Sequence, residues 1–245
     1  MISCRTMATA TVLVAVFVVF LAVGLAGGQA LKVIPVNIQM PPGQRTATLT
    51  VINEGNTETA IQIRTYAWNQ PNGNDQLTNS NEVLASPPLT TIAPGATQIV
   101  RLVLRRTPEG REATYRILLD QIPPPAVPGE VKIVLRMSIP IFAQPTNRTI
   151  SHVQFHIERD AGQVYLVGIN NGLRHEAIRD IVLSTRDGRK LKTASGAAPY
   201  ILAGVTRRWL IAEQGSQPLA NETLRLTARA DAGAIEQQVR VVEAP

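Results

Sequence analysis

From residue 31 onward, apolar and polar residues alternate over short runs rich in Val, Ile, Thr and Leu, and Gly, Pro, Asn or Asp breaks the alternation about every ten residues. A period of two puts successive side chains on opposite faces of an extended strand, one face half-buried. No stretch carries a helical period of useful length. The pattern predicts strands near 32–39, 46–53, 59–68, 97–105, 113–121 and 130–142. Turn signals separate them at Pro41-Pro42-Gly43, Asn53-Glu54-Gly55-Asn56, Pro71-Asn72-Gly73-Asn74, Ala93-Pro94-Gly95 and Pro108-Glu109-Gly110.

A second set of strands is expected at 151–157, 163–169, 178–185, 189–193, 205–211, 222–230 and 234–242, with Asp187-Gly188 forming a tight primed hairpin turn. Between the two sets, Pro145-Thr146-Asn147-Arg148 has few apolar residues and reads as the linker. The chain therefore divides into residues 1–30, a first β-sandwich over 31–146 and a second over 147–245. Trp68 and Trp209 read as packing residues, because each can bury a large apolar surface.

Residues 1–30 follow a different rule. Arg5 is followed by an uncharged apolar run that ends at Gly28-Gln29-Ala30, with small residues where a signal peptidase reads them. Cleavage is expected after Ala30; an uncleaved membrane anchor is the alternative, and both export the remaining 215 residues. The only cysteine, Cys4, leaves with the leader, which excludes disulfides, a thiol nucleophile and a thiolate metal site from the mature protein.

Arg5 contributes one unit of the formal net charge of +6, leaving +5 on the mature chain, with Lys and Arg scattered rather than run together. Nucleic-acid binding calls for a basic stripe with interleaved aromatics, and aromatics make up only 4% of the chain. A mild basic surface suits an acidic protein partner or a chain-terminal carboxylate. Catalysis finds no footing: of three histidines, none sits in a recognisable motif. His152 and His156 share a strand face about 13 Å apart, too far to hold one metal ion. No phosphate-binding glycine loop or calcium loop is present, so no cofactor, metal or small-molecule substrate is expected.

Three stretches carry a family resemblance. SPPLTTIAPGATQIVRLVLR at 86–105, REATYRILLDQIPPP at 111–125 and GEVKIVLRMSIPIFAQP at 129–145 resemble the central region and last first-domain strand of PapD-like periplasmic pilus chaperones. Thr65-Tyr66-Ala67-Trp68-Asn69-Gln70 and Tyr200 to Gly204 are similar to the archaic, or spore-coat-type, branch. The resemblance implies a boomerang of two immunoglobulin-like β-sandwich domains in the periplasm. Such a protein would hold an incomplete pilus subunit by lending it a β-strand, without ATP, and pass it to an outer-membrane usher.

The strand that would be lent is 131–142. One face carries Val131, Ile133, Leu135, Met137, Ile139 and Ile141; the other carries Lys132, Val134, Arg136, Ser138, Pro140 and Phe142. Periodicity alone favours a strand packed in its own sandwich, which gives the same alternation. The resemblance places Val131, Ile133 and Leu135 at donor positions, with Met137 next in the row. Self-association is a way for such an edge to be covered in the free protein. Family members use an arginine on the first strand and a lysine near the donor strand's end to grip the subunit's terminal carboxylate. The corresponding positions here are Asn37 and Pro140, so Arg136, Arg101 and Lys32 are the replacement cations to examine. The competing reading is a two-domain structural or surface protein that keeps this strand for its own core.

Overall fold

A computed structural model describes residues 31–125, 128–129, 131, 133–193, 199–212 and 222–243. The leader assigned to residues 1–30, and Lys132 of the donor stretch, lie outside the described residues. The fold is all-β, in two sandwiches.

The first sandwich faces one sheet against another. One contains β1 (Leu31–Ile34), β3 (Thr46–Asn53), β8 (Thr97–Leu104) and β6 (Val83–Ser86), in the order β1-β3-β8-β6. The other runs β2-β10-β9-β4-β5, where β2 is Ile38–Met40, β10 Arg136–Ala143, β9 Ala113–Ile122, β4 Thr59–Asn69 and β5 Gln76–Asn79; β7 (Leu89–Ile92) also pairs with β4. Alternation builds the core directly: Leu49 and Val51 of β3, Val100, Leu102 and Leu104 of β8, Ile61 and Ile63 of β4, and Ile117 and Leu119 of β9 meet between the sheets.

The expected strand at 32–39 is corrected to two. Pro35 has no N–H to give a ladder, and across Pro35–Asn37 the chain leaves β3 and joins β10 as β2, in parallel register with Ile38 against Ile141. The strand expected at 130–142 starts its ladder only at Arg136. β5, β6 and β7 were not expected, because they are short; β5 is exposed throughout and has no apolar alternation to read.

The second sandwich comprises β11 (Val153–Asp160), β12 (Gln163–Asn170), β13 (Glu176–Ser184), β14 (Lys190–Thr193), β15 (Tyr200–Ile201), β16 (Thr206–Ala212), β17 (Thr223–Ala230) and β18 (Gly233–Glu243). Their order is β14-β16-β12-β11-β18-β17-β13-β15, and β14 also pairs with β13, so the layers join edge to edge around the core. Ile157, Leu166, Leu183, Leu224, Leu226 and Val241 fill it, with Trp209 packed among them. The hairpin between β13 and β14 differs from the expected two-residue turn. Thr185 N–H donates to the Arg189 carbonyl at 2.9 Å, and of the intervening residues only Gly188 takes a positive φ, +86°, as in a three-residue loop closed by a glycine.

Candidate functional site

The stretch expected to be lent is positioned by β9. Antiparallel register runs from Arg136 opposite Asp120 to Ala143 opposite Ala113. Along this ladder Ile139 and Ile141 point into the core and Met137 packs against it. The same side-chain parity continues outward into Leu135, Ile133 and Val131, which are 40%, 91% and 95% exposed. Burial stops there because the neighbouring strand stops: β9 ends at Ile122, and Pro123, Pro124 and Pro125 follow, with no N–H to continue a ladder. Gln121 ties the stretch at Leu135: its N–H donates to the Leu135 carbonyl at 2.9 Å and its Oε1 accepts the Leu135 N–H at 3.2 Å.

The opposite edge of β10 is open over most of its length. β2 pairs only with Ile141–Ala143, and among the described residues no strand pairs with Arg136–Pro140 on that side. Ladder alternation turns the Arg136 and Ser138 N–H groups toward this edge, consistent with Gln144 N–H, of the same parity, donating to Met40 O on β2 at 2.9 Å. An exposed apolar row beside an unpaired edge is what strand addition requires.

The three nominated cations are dispersed. Arg136 lies on the outer face of β10 and is paired with Asp120, which also accepts from Arg64 Nη2 at 2.5 Å. Burial alone would raise the Asp120 pKa, but the hydrogen bonds and charges of Arg136 and Arg64 outweigh it and hold the carboxyl below its ordinary value. Lys32 pairs with Glu54 at 3.5 Å, both half-exposed. Arg101 stands between the buried Val100 and Leu102 of β8, hence on the outer face of the other sheet, away from the outer face of β10. The structure does not bring these three together.

What it does bring together was not seen in the sequence. Near the end of β10, Phe142 turns out of the first core and meets Trp68 of β4 and Tyr200 and Leu202 of the second domain. Trp68 and Tyr200 make an edge-on contact with centroids 5.6 Å apart, and the His175 ring stacks on Phe142 at 3.4 Å. His175 Nδ1–H donates to Glu112 Oε1 at 2.5 Å, with both side chains buried. Gln70 Nε2 donates to the Tyr200 carbonyl and Gln70 Oε1 accepts the Leu202 N–H, both at 3.0 Å. Gly73 is required at this seam: it has φ +75°, and a Cβ there would lie 2.9 Å from the Thr206 carbonyl oxygen.

Asn37 and Pro140 sit at the mouth of this seam. Asn37 Nδ2 reaches the Tyr200 hydroxyl at 3.5 Å, and Pro140 lies directly across the ladder from Arg116. The Arg116 guanidinium covers the Trp68 ring at 3.8 Å, and its nearest carboxylate, Asp75, is 3.9 Å away. Burial lowers the pKa of both Arg116 and Arg207, and the two charges are close enough for Arg207 to depress Arg116 further. Two largely buried cations thus share one carboxylate. Among the described residues no cluster of His, Cys, Asp and Glu could hold a metal ion.

The chain is a two-sandwich all-β protein with an exposed apolar extension of a first-domain edge strand. Residues 30–149 match the family described as pili and flagellar-assembly chaperone, PapD N-terminal domain, and the chain belongs to these PapD-like chaperones, whose fold and family are those of non-enzymatic proteins. Solved structures agree on the fold. The CsuC–CsuE chaperone–tip adhesion subunit pre-assembly complex, from archaic chaperone-usher Csu pili of Acinetobacter baumannii, is similar with a TM-score of 0.62 at 20% identity, over 88% of this chain and 100% of that chain. The YadV chaperone gives 0.63 at 15% identity, over 86% and 98%. The SafA pilin–SafB chaperone complex of Salmonella enterica gives 0.59 at 14% identity, over 88% and 97%. No curated protein matches the sequence significantly.

Proposed function

We propose that this protein is an ATP-independent periplasmic chaperone that stabilises pilus subunits by donor-strand complementation and delivers them to an outer-membrane usher. The observation that carries the reading is the row Val131, Ile133 and Leu135, exposed yet in phase with the core residues Ile139 and Ile141. A subunit lacking one strand would take this row, followed by Met137, into its groove and pair its backbone with the open edge of β10. Each buried side chain would contribute roughly 25 cal/mol per Å² of apolar area removed from water, before association costs. The likeness to the archaic CsuC complex supports the archaic branch. In the free protein, self-association would cover the row; sedimentation that stays monomeric at every concentration speaks against that.

Of the cations near the site, we place the grip on the subunit's terminal carboxylate at Arg116 rather than at Arg136, Arg101 or Lys32. Arg136 and Lys32 are already engaged by Asp120 and Glu54, and Arg101 faces the other way.

The test is co-expression of the tagged mature chain with candidate pilus subunits in a bacterial periplasm, comparing wild type with the double variant Ile133→Asp, Leu135→Asp. Loss of an equimolar subunit from a folded double variant supports strand lending. Absence of any subunit with either protein favours the structural reading.

A further inference from the structure

Where the donor strand leaves the sheet is a functional variable. The spacing between the chaperone body and the apolar row depends on which residue of β10 is the last one held. A slip of two residues would keep the face but move the row by about 7 Å along an acceptor groove, and a slip of one would turn it over.

We propose that Asp120 is a positioning residue for the donor strand, gripping Arg136 of β10 and Arg64 of β4 at the last rung of the sheet and so setting which residues project. The proposal rests on the strand-lending reading above. Three adjacent strands meet at this carboxylate. Gln62 of β4, Asp120 of β9 and Arg136 of β10 lie in one row, and Arg64 reaches across from the next row, which contains Leu118 and Ser138. The Asp120 side chain is 14% exposed, whereas that of Arg136 is 65% exposed, so the carboxylate is the fixed end and the guanidinium is the end that moves with the strand. Removing the carboxylate would leave the two arginines on one sheet face with their shared counter-charge gone, and Arg64 Nε already has no hydrogen-bond partner. Beyond the rung, Gln121 holds Leu135 through two hydrogen bonds.

The clamp differs in kind from the packing that stabilises the domain. Asp120 lies between the buried Leu119 and Gln121 of β9, on the sheet face opposite the core, so its loss opens no cavity between the sheets.

Backbone hydrogen exchange on the full mature chain, comparing wild type, Asp120→Ala, Asp120→Asn and Asp120→Glu, tests the clamp without needing a partner. Because Gln121 donates to Leu135, ladder alternation directs the Met137 N–H at β9, and the Leu135 and Met137 amides report on the root of the strand. In Asp120→Ala these two amides should exchange about tenfold faster while those of β3 and β8 are unchanged, and Asp120→Glu should restore slow exchange. Asp120→Asn, of equal size, serves if the alanine variant fails to fold. Each variant is also assayed for recovery of the pilus subunits that co-purify with wild type, and recovery should fall in parallel with the faster exchange. Unchanged exchange at Leu135 and Met137 overturns the proposal; so does faster exchange with undiminished subunit recovery. A wild-type chain that recovers no subunit sinks the strand-lending reading itself, and the exchange comparison then still decides the clamp.

Discussion

The imidazole of His175 lies flat on the ring of Phe142, 3.4 Å between centroids and 11° from parallel, while its Nδ1 is bonded to Glu112 of the first domain. One second-domain side chain therefore joins the end of β10 to the residue that precedes β9. Replacing His175 with Ala removes the stacked ring and leaves a fully buried carboxylate without that partner; Arg174, at 3.8 Å, is the next cation. We expect a loss of about 2–4 kcal/mol in chemical denaturation. A loss under about 0.5 kcal/mol would mean that the contact contributes no net stability.

Two isoleucines on one face of one strand should respond in opposite ways. Ile141 is fully buried and Ile133 is 91% exposed. Ile141→Ala should cost about 2–5 kcal/mol of stability, as core truncations do. Ile133→Asp should change stability by less than about 0.5 kcal/mol and instead abolish subunit recovery. Unfolding of the Ile133→Asp variant would show that the row packs within its own chain.

Acidification should loosen the root of the donor strand. Arg136 and Arg64 hold the Asp120 pKa below its ordinary value, against the opposing effect of burial. A carboxyl depressed in the folded state contributes stability that is complete above its unfolded value, about 4, and is lost as pH falls through the folded value. Referred to the intrinsic amide rate at each pH, exchange at Leu135 and Met137 should accelerate more in wild type than in Asp120→Asn between pH 6 and about pH 2.5. Equal acceleration in both would assign the acid sensitivity to other carboxyls.

The strands that fill a core were legible in the sequence because burial imposes the period of two; 46–53 and 113–121 coincide with β3 and β9 to within a residue. The seam between domains was not, because it is built from buried polar residues such as Gln70, Glu112 and His175, whose partners are 63 to 132 positions away. A partial signal existed. Trp68 and Phe142 fall on the strand parity otherwise occupied by Arg64, Tyr66, Arg136 and Ser138, and a large aromatic on a polar face marks a second contact. Arg136 was legible as a cation beside the donor row, but its engagement by Asp120 depends on strand order, which a single sequence does not reveal.

The carboxylate grip makes the sharpest prediction. Arg116 and Arg207 are both largely buried, and the Asp75 carboxylate beside Arg116 is itself occupied, accepting from Trp68 Nε1 at 3.1 Å and Gln70 Nε2 at 2.8 Å. Arginine stays protonated even where burial lowers its pKa, so this corner carries more positive than negative charge. A chain-terminal carboxylate would supply the deficit through charge-assisted hydrogen bonds. Truncation to Ala would also strip the cover from Trp68, so Arg116→Met, which keeps an apolar stem over the ring, is the variant of choice. It should melt within a few degrees of wild type yet recover about tenfold less subunit, the order expected for losing a charge-assisted contact. Wild-type recovery by Arg116→Met would remove Arg116 from the grip. The same substitution should make no difference to a subunit whose C-terminus is extended by two glycines, because the carboxylate is then carried away from the corner whether or not the guanidinium is present.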